Sequence, residues 1–239
     1  MIEQDRFILI WMENLSIKNK IANKDTYTVQ HLNLRIDAGE FVCISGLFGS
    51  DKISFINTLS CLNRPDAGKY IYNYNDTTTI EKHKLDTLRS EIGFIFKNLN
   101  IMDDLTVYQN IEIPIRISSI VEKSSELVKA AEKLGLSDCL NTKVKKLSDI
   151  EKHKVSLARA LAVKPILIIA DEPADGLQRE DAETLLNTLH ELNKQGTAII
   201  CFSESIEVIE KASRHIVFEK SSIKSDSTVE CFRIEGGAV

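Results

Sequence analysis

The chain has 239 residues, 43% hydrophobic and 27% charged, with only 10 Gly and 4 Pro, which excludes a fibrous repeat or a disordered tract and leaves ample length for a core. Its formal net charge of -5 supplies no general attraction to nucleic acid or to anionic lipid. Five scattered cysteines, Cys43, Cys61, Cys139, Cys201 and Cys231, form no C-x-x-C pair and are expected as small buried thiols of a reducing compartment, not as a disulfide frame or a zinc site.

In chain order, the opening "MIEQD" is acidic where a secretory leader is basic, and no apolar run approaches the ~20 residues of a membrane helix. A cytoplasmic location is therefore expected. "RFILIW" at 6–11 and the tyrosine-rich "KYIYNY" (Lys69 to Tyr74) predict strands of a smaller β layer. "EFVCIS" (Glu40 to Ser45) predicts a buried strand, followed by a glycine-bearing loop and a helix near "KISFINTLSCL". From about Asn98 to Leu161 the pattern is mostly helical, with Gly135 closing "SELVKAAEKLGL", and predicts a helical lobe inserted between sheet strands. "ILIIAD" (Ile166 to Asp171) and "AIICFS" (Ala198 to Ser203) are further buried strands. The helix predicted between them, "REDAETLLNTLHELNKQG", places Leu185, Leu186, Leu189 and Leu192 on one face. Strand, helix and strand in succession imply an α/β fold with a parallel sheet. The closing "KSSIKSDSTVECFRIEGGAV" has the weakest pattern.

The segment "GLFGSDKIS", Gly46 to Ser54, approaches the phosphate-loop pattern G-x-x-x-x-G-K-[ST]. In that pattern glycines let backbone N–H groups turn onto phosphate, a lysine reaches the terminal phosphates, and a hydroxyl holds Mg²⁺. Gly46, Gly49 and Lys52 stand in place, but the second motif glycine is Asp51 and the hydroxyl position is Ile53. Asp51 is expected to strain the glycine geometry and to place a carboxylate beside bound phosphate. Ser54 offers a hydroxyl one residue late, about 100° further round a helix. Alone, the loop fits a plain glycine turn with a surface lysine equally well.

"PILIIADEP" (Pro165 to Pro173) adds a buried strand ending in Asp171 and Glu172. Strand-end acids at that separation from a phosphate loop match the second acidic motif of P-loop ATPases. With "LNLRIDAGEFVCISG", "LNRPDAGKY", "IGFIFKNLNIMDDLTVYQNIEIPI", "SLARALAVKPILIIADEPADGL" and "LLNTLHELNKQGTAII", the chain resembles the ATP-binding subunit of an ABC transporter. The likeness covers roughly Asn14 to Ile223 and is nearest the branch of lipoprotein and macrolide exporters and cell-division transporters.

The resemblance implies a P-loop, RecA-like core at 1–97 and 162–239 with a small antiparallel β layer, and a helical lobe at 98–161. It implies ATP and Mg²⁺ as ligands, with nucleotide held by Gly46, Gly49, Ser50, Lys52 and Ser54. Asp171 would hold the metal and Glu172 would act as general base. It also implies altered positions. The family's Q-loop glutamine is Lys97, and its LSGGQ signature reads "LSDIE" (Leu147 to Glu151), retaining Ser148 but replacing the glycines with Asp149 and Ile150. The D-loop aspartate is Gln178 and the switch histidine is Ser203. The adenine-stacking aromatic falls near Asn19, with Tyr27 as an alternative. The implied partners are a membrane permease and a second ABC subunit, as homodimer or heterodimer, with no nucleic acid. The segment Phe96 to Ile115 either docks that permease, through Asp103, Asp104 and Tyr108, or simply packs the lobe. Two functions follow: a subunit with weak or absent hydrolysis, or a working ATPase coupled to export.

Overall fold

A computed structural model describes residues 7–21, 24–117 and 123–229. Its first elements are β1 (Ile8–Ile21), β2 (Lys24–Asp37), β3 (Phe41–Ser45), α1 (Gly49–Leu59), β4 (Ala67–Tyr72), β5 (Asn75–Asp76) and α2 (Lys82–Arg89). Then come β6 (Ile92–Ile95), α3 (Val107–Ile117), α4 (Lys123–Lys133), α5 (Asp149–Leu161), β7 (Leu167–Asp171), α6 (Arg179–Lys194) and β8 (Ala198–Phe202). The chain closes with α7 (Ile206–Lys211), β9 (Arg214–Glu219) and β10 (Ser222–Thr228). Two compact units result, one from Met1–Arg89 with Phe202–Val239 and the other from Ser90–Cys201.

In the first unit an antiparallel sheet runs in the order β2-β1-β4-β5. Alternation explains its faces: Ile10 and Met12 are buried while Trp11 and Glu13 are exposed, and Leu32, Leu34 and Ile36 point inward between exposed neighbours. Asn14 (φ 48°) and His31 (φ 52°) interrupt that alternation. The β1–β2 register shifts there, and Leu15, Ser16 and Ile17 are all buried beyond it. Gly68 comes so close to β1 that a Cβ would lie 2.2 Å from the Asn14 carbonyl oxygen. The strand expected over Lys69 to Tyr74 stops at Tyr72, because Asn73 (φ 46°) and Tyr74 (φ 62°) form the two-residue turn into β5.

The same unit holds β3, buried along its whole length, parallel to β9, which pairs antiparallel with β10. The helix α1 follows β3 and buries Phe55, Thr58 and Leu59. Phe55 packs against the rings of Phe218 (5.4 Å between centroids) and Phe202 (6.1 Å). Tyr70 donates its hydroxyl to the Leu59 carbonyl at 2.7 Å, tying α1 to β4. These contacts anchor the second half of α1; the phosphate-loop residues lie at its start.

In the second unit β6 and β7 are parallel, in register from Ile92 opposite Leu167 to Ile95 opposite Ala170, and β8 lies on the other side of β7. The four α6 leucines are buried as expected. Residues 98–161 carry α3, α4 and α5 and, among those described, one isolated bridge between Thr106 and Lys143. Strand β6, four residues long, was not anticipated. Neither were β2 and β9, nor β10 from the weakly patterned terminus; Cys231 lies outside the described residues. No helix among the described residues is long and apolar enough to cross a membrane.

Candidate functional site

The loop from Gly46 leaves the fully buried β3 and enters α1. Gly46 (φ 83°) is required: a Cβ there would sit 1.9 Å from the Phe218 carbonyl oxygen. Gly49 (φ 53°) opens the helix, and Ser50, Lys52 and Ser54 lie within its first turns. The expectation that Asp51 strains the loop is corrected. Asp51 is the third residue of α1 with ordinary helical backbone, because the helix begins at Gly49, two residues ahead of it. The Phe48 carbonyl accepts the N–H groups of Asp51 (3.1 Å) and Lys52 (3.4 Å), so both amides turn into the helix.

Two of the chain's own carboxylates stand near this end of α1. The Gly46 N–H donates to Glu204 Oε1 at 2.7 Å. Asp51 Oδ1 accepts from Asn19 Nδ2 (3.2 Å) and Thr28 Oγ1 (3.0 Å). An acid in the first turn complements the positive end of the helix, the charge that would otherwise attract phosphate. Ile53 brings no oxygen and is 56% exposed, and Phe48 is 65% exposed. Asn19, at the position mapped to adenine stacking, therefore spends its side chain on Asp51. Tyr27 lies opposite Lys18, whose ammonium stands 5.9 Å over its ring.

Ser203, the switch position, is buried. Its N–H donates to the Ile44 carbonyl (3.1 Å), and its hydroxyl accepts from the Ser205 N–H (3.2 Å). Behind the loop, Ser45 Oγ lies 2.8 Å from His215 Nε2. Burial lowers the His215 pKa, and the Glu204 carboxylate opposes that shift.

In the second unit, β7 carries Asp171 at its end and Glu172 (φ 45°) just beyond. A tight turn follows, the Asp175 N–H donating to the Glu172 carbonyl at 3.1 Å. Lys97 Nζ lies 3.2 Å from Asp175 Oδ2. Its pKa is raised by hydrogen bonding and charge from Asp175, and further by the charges of Glu172 and Asp171. Lys97 thus pairs directly with Asp175, which sequence reasoning missed, and lies within range of the charges of both predicted acids. Among the described residues, no group of three or more His, Cys, Asp or Glu is placed to hold a metal ion.

Ser148 is the N-cap of α5 in a reciprocal capping box with Glu151. Glu151 Oε2 accepts from the Ser148 N–H (2.8 Å) and hydroxyl (2.7 Å), and the Glu151 N–H donates back to Ser148 Oγ at 3.4 Å. Those bonds hold the Glu151 carboxyl below its usual range. The Ser-x-x-Glu spacing is that of a capping box, a role the sequence reading had not given it. Gln178 caps α6 without a side-chain bond. In the 102–108 segment, buried Asn110 holds the Met102 N–H (2.8 Å) and the carbonyls of Met102 and Thr106 (each 3.0 Å). Asp104 pairs with Lys145 at 2.8 Å, and the Asp103 carbonyl accepts the Lys145 N–H.

Residues 29–175, more than half of the chain, match the family model described as ABC transporter. This chain belongs to the ABC transporter family. It is 33% identical over 221 residues to the uncharacterized ABC transporter ATP-binding protein YvrO of Bacillus subtilis, covering 91% of this chain and 96% of the relative. It is 32% identical to the macrolide export ATP-binding/permease protein MacB of Vibrio parahaemolyticus, covering 92% of this chain but only 34% of that longer protein. The fold matches the dimeric post-hydrolysis state of the ATP-binding cassette MJ0796 bound to ADP and Pi, with TM-score 0.81, 26% identity, and coverage of 92% and 98% of the two chains. The mixed α/β architecture is that of an ABC cassette.

Proposed function

We propose that this chain is the ATP-binding subunit of an ABC transporter in which hydrolysis is far slower than in an intact cassette. One observation carries this: an acid, Asp51, stands in the first turn of α1, and the Glu204 carboxylate takes the Gly46 N–H. Nucleotide must compete with them. Gly46, Gly49, Ser50, Lys52 and Ser54 are the residues that would meet its phosphates, Glu172 the general base, and Ser148 the remaining signature hydroxyl. Loss of one preorganised transition-state donor costs ~3 kcal/mol, about a hundredfold or more in rate. The changes at Asp51, Ile53, Lys97, Asp149, Ile150 and Ser203 do not add, but two independent ones leave turnover very slow.

Magnesium would fall to Asp171, and the donor set around it fits poorly. The ion needs a near-octahedral shell of oxygens, whereas Lys97 brings a positive charge to the Asp171–Glu172–Asp175 acids. The chain's permease partner and its pairing with a second cassette, as homodimer or heterodimer, are supported by the permease named in MacB and the dimeric state of MJ0796. Residues 98–161 serve in this reading as the helical lobe, and such a partner would bring the subunit to the inner face of the membrane.

The test is a steady-state phosphate-release assay on purified protein beside its Glu172→Gln variant. Turnover at or near background in both supports the proposal. Turnover typical of enzymes, about 1–1000 per second and abolished in Glu172→Gln, overturns it in favour of a working exporter ATPase.

A further inference from the structure

We propose that Lys97 is a built-in counter-ion for the acidic end of β7, supplying the positive charge that a divalent cation would bring, so that this acid group takes up divalent ions poorly. The inference rests on the reading of Asp171 and Glu172 as the acids of the nucleotide site. It does not depend on how fast that site turns over.

The sheet sets the position of Lys97. Strands β6 and β7 are parallel and in register to Ile95 opposite Ala170. Two residues past each of these stand Lys97 and Glu172, so the lysine emerges beside the acids and not elsewhere on the surface. Asp175 reaches it because the turn at Glu172, with its left-handed backbone and the Asp175 N–H to Glu172 carbonyl bond, reverses the chain just after the strand. The resulting contact is 3.2 Å from ammonium to carboxylate. The charges of Glu172 and Asp171 also favour the ammonium form.

A lysine here differs in kind from a neutral amide. An amide offers an oxygen to a cation, whereas an ammonium has three donors and no acceptor. A divalent ion bound by Asp171 or Glu172 would act on that ammonium, because the charges of those two carboxylates already do. A single and a double positive charge about 5 Å apart repel enough, even at the dielectric constant of water and low ionic strength, to weaken binding about tenfold. The lone pair of the amine is not a substitute donor, because a lysine is protonated at neutral pH and the neighbouring acids favour that form further.

The test uses Mn²⁺ alone, titrated into the full-length, nucleotide-free chain at low ionic strength, with free Mn²⁺ read by electron paramagnetic resonance. Lys97→Gln should bind the ion at least tenfold more tightly than the wild type. Asp171→Asn in that background should remove the gain. Lys97→Arg, which keeps the charge, should match the wild type. Equal affinity of wild type and Lys97→Gln, a gain that survives Asp171→Asn, or a gain in Lys97→Arg would each overturn the proposal. No turnover enters this readout, so its failure and a failure of the slow-hydrolysis reading are told apart.

Discussion

Replacing Asp51 by asparagine removes a negative charge from the head of α1 while leaving an oxygen to accept from Asn19 and Thr28. The clasp is retained, so the variant isolates charge from shape. A phosphate charge about 6 Å from the carboxylate is repelled by about 0.7 kcal/mol at the dielectric constant of water and by about 3 kcal/mol at an effective value of 20. Asp51 is half-buried, so the effect falls between those limits. Asp51→Asn should therefore tighten ATP binding by about threefold to about a hundredfold. The same change weakens the helix, since an acid in the first turn contributes about 0.3–1 kcal/mol. Higher affinity should thus come with slightly lower stability, a combination that a general improvement in folding would not produce. Isothermal titration calorimetry with ATP in the presence of EDTA reads the first quantity and urea denaturation the second. Unchanged or weaker ATP affinity in Asp51→Asn would refute the reasoning that the internal carboxylate competes with phosphate.

Ser148→Ala removes the capping box of α5 and should cost about 1 kcal/mol in urea denaturation; no loss would mean that the cap contributes nothing here. Arg214 makes two bonds of 2.7 Å to Asp226, another to Glu40 at 3.2 Å, and a fourth to the Arg35 carbonyl at 2.8 Å. Arg214→Ala should therefore destabilise the protein by about 1–3 kcal/mol, and a change near zero in the denaturation midpoint would contradict that. Because the folded-state pKa of His215 is lowered, the unfolded chain takes up that proton first as pH falls. The stability due to neutral His215 should be complete above about pH 6.5 and decline below it through the folded pKa. Denaturation at pH 7.5 and 5.5 should show the decline, and His215→Gln should reduce it; an unchanged slope in that variant would assign the decline to other groups.

Periodicity made part of the fold legible. The α6 leucines recur at helical spacing, and β3, β7 and β8 are short apolar runs that only a doubly covered sheet accommodates. The capping box at Ser148 was a local signal that went unread, since a hydroxyl and an acid three residues apart meet within one turn. Strand β2 was missed because Asn14 and His31 shift its pairing with β1 and mask the alternation, and β6 because four residues are too short to show a period. Asp51 was misjudged in its backbone, because α1 begins two residues ahead of it, at Gly49.

By itself, the sequence determined the family-level α/β pattern, the identity of the loop and strand-end acids, and the substitutions among them, all of which follow from residue type and short spacing. Tertiary structure alone decided what those substitutions touch. Glu204 reaches the Gly46 amide across 158 positions of chain, and Lys97 meets Asp175 only because β6 and β7 lie side by side. Charge acts through space over a few ångströms, so which carboxylate confronts which cation is set by packing, where separation along the chain carries no information.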